Sequence, residues 1–292
     1  MRSSMSRRTP LALALLAVVD PALALRLPPP SRVVREAQKT LVTAACAATL
    51  ALGGGDAALA GDAALAPSLR DAIVETSEAT YPILKALPSD TFPAFADKIG
   101  SLFLGVKPDK LAKIIEIDLD VLLSVPPEKV TAFNGVVKDA FDGLKPDGGC
   151  DLVPLPPPSL VERFTSSEAL AQVDAAKLKA FDELWGPALK ALAKTPTAIC
   201  LPPPAKLDAL ALAQAEIGKS FGADEVKALD KAGTILKSAI TPAKAFPLIG
   251  DAQKQTMGAS LPERQRFKAA GAQVETAAKL CTALPRKAEC AL

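Results

Sequence analysis

The stretch Val125-Pro-Pro-Glu-Lys-Val-Thr-Ala-Phe-Asn-Gly-Val-Val-Lys-Asp-Ala-Phe-Asp-Gly-Leu-Lys-Pro-Asp-Gly-Gly-Cys150 sets the pattern of the chain, because degraded copies of it lie on both sides. Moving back 38 positions pairs Pro126 with Pro88, Glu128 with Asp90, Ala132-Phe133 with Ala94-Phe95, Phe141 with Phe103 and Lys145-Pro146-Asp147 with Lys107-Pro108-Asp109. Moving forward 48 positions pairs Val125 with Val173, Lys129 with Lys177, Ala132-Phe133 with Ala180-Phe181, Ala140 with Ala188 and Leu144 with Leu192. After a two-residue adjustment Cys150 meets Cys200, and Leu155-Pro156-Pro157-Pro158 meets Leu201-Pro202-Pro203-Pro204. Repetition at this period is the mark of a supersecondary unit copied along a chain. Within the unit Val130, Phe133, Val137, Phe141 and Leu144 recur at steps of three and four, which is the spacing of one helix face. The expected fold is all-α: antiparallel helix bundles built from a degenerate repeat of about 38–48 residues.

Composition agrees with helix. Of 292 residues 49% are hydrophobic and only 4% aromatic, so a core is available and it is aliphatic. The 26 prolines stand at the ends of apolar periodic segments, where proline opens or stops a helix. No segment alternates with a period of two for long enough to predict a strand. Helices are expected over 68–87, from Ser89 to Gly105, from Asp109 to 123, from Ser124 and Pro126-Pro127 to 144 and, briefly, from Ser159 to Phe164, then from Ser167 and from Asp174, through Leu207, Leu210, Ala211 and Ile217 up to Gly218, and from Ala223 and Pro262 onward. Four helices on short connections suit an up-and-down bundle. The proline-rich link 153–158 marks the expected boundary between a first bundle, 61–152, and a second, 153–292.

The first sixty residues read as an address. Arg7-Arg8 precedes the apolar run 11–19, which leads to Ala22-Leu23-Ala24, the three parts of a signal peptide over residues 1–24. The run is too short to span a bilayer. A basic, proline-rich segment with Arg26, Arg32, Arg35 and Lys39 follows, then a second apolar run, 41–52, and a second Ala58-Leu59-Ala60. Residues 25–60 are thus expected to form a transit and thylakoid-transfer segment, with cleavage after Ala60; the alternative is that 41–52 is an apolar helix of the folded protein. The serial arrangement resembles the tripartite presequence of thylakoid-lumen proteins in algae whose plastid derives from a red alga. Removing it leaves 34 − 7 = 27 basic and 32 − 3 = 29 acidic residues, a formal charge of −2. Basic and acidic residues are interspersed rather than gathered into a stripe, so nucleic acid is not an expected partner.

The residues also limit the chemistry. There is no histidine, which removes the commonest general base and metal ligand. Serines lack a base, no glycine-rich segment has phosphate-cradling spacing, and Glu116, Asp118 and Asp120 alternate along a helix, the pattern of a solvated face interrupted by core positions. No enzyme, cofactor or metal is therefore expected. Cys46 leaves with the presequence, so Cys150, Cys200, Cys281 and Cys290 remain, an even set that three disulfide connectivities satisfy. Pairing of Cys150 with Cys200, at equivalent repeat ends, and of Cys281 with Cys290, across Pro285, is expected, with buried thiols as the alternative. Without Cys-x-x-Cys a redox role is disfavoured. Trp185 and the repeat phenylalanines Phe95, Phe133 and Phe181 are expected in the core, with a pigment or partner contact as the alternative for Trp185. Lys107, Lys110 and Lys113, and Arg264, Arg266 and Lys268, are the densest basic groups and the candidates for docking to acidic loops of a membrane complex.

A lumenal, helical, histidine-free chain resembles the four-helix extrinsic subunits of photosystem II, the PsbQ type and its diatom relatives. That resemblance implies a role on the lumenal face of the oxygen-evolving complex, with binding that weakens as salt rises. The second expectation is a carrier whose helices enclose a pigment or lipid.

Overall fold

A computed structural model describes residues 67–86, 91–144, 152–154, 158–192 and 198–241, together with some of the positions between 243 and 279. The described chain is all-α. Its helices are α1 (Pro67–Ala86), α2 (Thr91–Leu104), α3 (Pro108–Leu123) and α4 (Pro127–Phe141), then, after a short strand β1 (Leu152–Pro154), α5 (Pro158–Thr165), α6 (Glu168–Gln172) and α7 (Ala175–Leu192). A second strand, β2 (Ala198–Cys200), leads to α8 (Pro204–Gly218) and α9 (Ala223–Ala239). Described residues from 264 to 279 are helical too. The presequence expectations and the cleavage after Ala60 lie outside the described residues.

Proline sets the helix starts. Pro108, Pro127 and Pro204 occupy the first helical turn, where the missing N–H is no loss and the fixed φ suits the helix. Side-chain caps begin two others: Ser167 Oγ accepts from Leu170 N at 3.2 Å, and Asp174 Oδ1 accepts from Ala176 N at 2.7 Å. Ser124, expected to open α4, instead ends α3. Its amide donates to Asp120 O at 3.0 Å and its hydroxyl to Val121 O at 2.8 Å, while Pro126 takes the N-cap of α4.

The two strands were not foreseen. They pair antiparallel with Leu152 opposite Cys200 and Pro154 opposite Ala198, and at three residues each they are too short to show a period. The pair joins the segment after α4 to the segment after α7.

Helix faces match the apolar spacing. On α1, Leu69, Ile73, Thr76 and Thr80 are all buried, as are Leu111, Ile114, Ile115, Leu119 and Leu122 on α3 and Val130, Phe133, Val137 and Phe141 on α4. The partners of those faces are a different matter. α3 packs on α9, α6 and α7; α4 packs on α7 and α8; α1 packs on α8. One apolar cluster runs from Val106 through Phe133 to Phe181, Ile217 and Leu236, so the boundary expected at 152/153 falls inside a shared core and the helices of 61–152 find their main neighbours beyond it. Spacing shows which side of a helix is apolar, but it carries no record of which helix covers that side. Phe133 and Phe181, at corresponding positions of two expected repeats, both meet Trp185, at 5.4 Å edge-to-face and 6.2 Å stacked. The side chain of Phe95 is outside the described residues.

Candidate functional site

Three residues apart on α3, Lys107, Lys110 and Lys113 share one side of that helix. Lys107 is its N-cap, with an extended backbone (φ −53°, ψ 135°) whose carbonyl accepts from the amides of Lys110 and Leu111. Lys107 and Lys113 are exposed; Lys110 is half-buried and donates from Nζ to Ser238 Oγ of α9 at 3.2 Å. Neither Lys107 nor Lys113 has an ion pair among the described residues.

The second basic group lies elsewhere. Arg264 and Lys268 are exposed and Arg266 is half-buried, all on helical residues. Further along, Thr76 Oγ1 of α1 lies 3.0 Å from Ala272 O and Thr276 Oγ1 lies 2.9 Å from Ala72 O, and the two hydroxyls, with one proton each, also lie within bonding distance of each other. The α3 group is thus tied to α9, whereas residues 272 and 276 meet α1. Of the cysteines, Cys150, Cys281 and Cys290 lie outside the described residues. Cys200 closes β2, and its side chain is likewise not described.

Buried polar groups add what spacing alone did not reveal. Asp118 is buried and not on a solvated face, because residue 118 of α3 turns toward the core alongside Leu119 and Leu122. Exposed Asp120 forms an ion pair with Lys177 of α7 at 2.6 Å, and its hydrogen bond, opposed by desolvation, holds the ammonium above its ordinary value. Asp208 of α8 is only 9% exposed. Burial pushes its carboxyl up to about 6, the Ser77 hydroxyl pulls against that, and the charge of Glu78 adds to the rise. Its Oδ1 is buried with no hydrogen-bond partner. An isolated Asp in an apolar stretch of α8 gave no sign that it would meet α1. Trp185 Nε1 is also buried without an acceptor. Among the described residues no three His, Cys, Asp or Glu side chains gather as metal ligands, and no helix is long and apolar enough to cross a membrane.

Comparison with protein-family models, with curated proteins and with solved structures gives no match.

Proposed function

We propose that this is a non-enzymatic protein of the plastid thylakoid lumen that docks as an extrinsic or assembly subunit on the lumenal face of a photosystem, with photosystem II the first choice. The observation that carries the docking is the α3 lysine group, with Lys107 and Lys113 exposed on a packed helix and neither ion-paired among the described residues. Exposed cations of this kind favour association with an acidic surface and leave it sensitive to ionic strength. The serial presequence supports the compartment, and Arg264, Arg266 and Lys268 are the second docking candidates. The test is to wash isolated thylakoid membranes with rising salt: the protein should sediment with a photosystem at low salt and appear in the supernatant at high salt. Its presence in the supernatant at every salt concentration would refute docking.

A disulfide between Cys150 and Cys200 belongs to the same proposal. It is supported by the β1–β2 pairing, which joins the segments that carry the two residues. In the chain-entropy account a loop of this length stabilises by about 4 kcal/mol. Peptide mapping without reductant tests it, together with the Cys281–Cys290 pairing.

One observation favours a carrier as the second reading: the unpartnered, buried Nε1–H of Trp185 would suit an acceptor on a pigment or lipid. Protein purified from thylakoids would then be coloured or would release lipid on extraction.

A further inference from the structure

The α3 lysines do not stand alone. The bond from Lys110 to Ser238 holds the last turn of α9 beside the first turns of α3. Lys231 lies two turns before that serine on the same side of α9, Lys237, next to the serine in sequence, is turned about 100° from it, and Lys244 follows within two turns of the helix end. Residues 105–115 and 231–244 together hold six lysines and a single acid, Asp109. Lys107, Lys113, Lys231, Lys237 and Lys244 are exposed, and none has an ion pair among the described residues.

Several other lysines are ion-paired, whereas exposed Lys190 and Lys268, like those above, have no ion pair among the described residues. Lys138, Lys177, Lys179, Lys206 and Lys227 each lie 2.6 to 3.9 Å from a carboxylate. Exposed cations without such partners favour an acidic surface laid against them. The exposed uncharged neighbours, Thr234, Ser238 and Thr241, are polar and supply no apolar anchor of the sort that seats a helix in a membrane surface.

We propose that α3 and α9 form one lysine face, spanning both helices, that binds an acidic surface of a partner protein. The inference rests on the docking reading above in taking a protein partner to exist, and it names the part of the molecule that meets it.

The test uses thylakoids from cells that express the whole chain, either unchanged or with Lys107→Glu and Lys113→Glu on α3, Lys231→Glu and Lys244→Glu on α9, or all four. Carbodiimide, which joins amines to carboxylates in direct contact, should link these lysines of the unchanged protein to acidic residues of another protein. Either pair of reversals should weaken retention by about tenfold, and the four together should abolish it at salt that retains the unchanged chain. Replacement by Arg instead of Glu keeps the charge and should preserve binding, and circular dichroism should be unaltered, since every site is exposed. Links to a protein outside the photosystems would leave the face standing and overturn the photosystem assignment. Retention unaffected by all four reversals, in a protein that salt still releases, would overturn the face and leave the assignment standing. Binding of the purified full chain to phosphatidylglycerol vesicles, abolished by the same reversals and with no protein cross-link in thylakoids, would also overturn it.

Discussion

Asn134 of α4 bonds two backbone groups of α7 beside Pro187, which lies inside that helix. Its Nδ2 donates to the carbonyl of Leu184 at 2.9 Å, and its Oδ1 accepts from the amide of Ala188 at 3.2 Å. In an uninterrupted helix those two backbone groups would bond each other. Pro187 has no N–H to give the carbonyl of Glu183, so this turn of α7 is one backbone bond short. The carboxamide supplies one donor and one acceptor to the adjacent rung, and only one orientation of the amide satisfies both. It also fixes α4 against α7 at the level of Trp185.

Replacing Asn134 with Ala should therefore destabilise the protein by about 2–3 kcal/mol, as two part-buried backbone groups lose a partner. Pro187→Ala restores the missing backbone donor and should strengthen this turn, so in that background the same replacement should cost less than half as much. Denaturant unfolding of the four proteins of this cycle measures the difference. Equal costs in the two backgrounds would show that the amide does not serve the proline turn.

Gly100 lets α2 and α5 approach. A Cβ built there lies 2.1 Å from Leu160 Cδ1, and Leu160 is itself only 2% exposed and has little room to withdraw. Gly100→Ala gains about 1 kcal/mol of helix propensity but overpacks the contact by about 1–3 kcal/mol, so a net loss is expected. Shortening Leu160 to Ala should turn the same glycine replacement from harmful to neutral or better, which thermal unfolding will read.

Asp208 gives the fold a pH dependence of definite sign. Its carboxyl rises from 3.8 to about 6 on folding, so the folded chain holds the proton more tightly than the unfolded chain does. The resulting stability is fully present below 3.8 and is lost as pH rises through about 6. The charged groups around it are Glu78 on α1, which opposes ionisation, and Lys206 on its own helix, which is engaged with Asp139 of α4 at 3.5 Å. Asp208→Asn should raise stability near pH 7.5 by on the order of 1–3 kcal/mol and leave it little changed near pH 4. A replacement with the same effect at both pH values would contradict the assignment.

Trp185 is the single tryptophan and is buried between Phe133 and Phe181. Its emission should be blue-shifted in the native protein and move to the red in the same transition that abolishes the helical circular dichroism. Phe133→Ala should lower stability by about 3–5 kcal/mol and redden the native emission, because it removes the edge-to-face neighbour from the core.

Much of the helix pattern was legible because it is local. Pro108, Pro127 and Pro204 mark helix starts by their own covalent geometry, and steps of three and four pick out the buried sides of α1, α3 and α4. What escaped depends on residues far apart in the chain. Lys110 meets Ser238 across 128 positions, and Thr76 meets Ala272 across 196. Asp208 looks like any polar residue of an apolar helix until α1 covers it. β1 and β2 exist only as a pair, and neither has the length to announce itself. Ser124 was misassigned because serine hydroxyls serve both ends of a helix, and here Oγ turns back to the carbonyl of Val121. Of the docking candidates, the lysine triplet of α3 was visible in its spacing, whereas the part that α9 adds required the packing of the two helices.

The most direct test of a lumenal docking protein is intact mass and N-terminal peptide analysis of the form of this chain that salt releases from thylakoids. The account predicts a chain that begins at Gly61 and leaves a photosystem fraction as salt rises. A chain that retains residues 25–60, or one that salt never displaces from the membrane fraction, would contradict it.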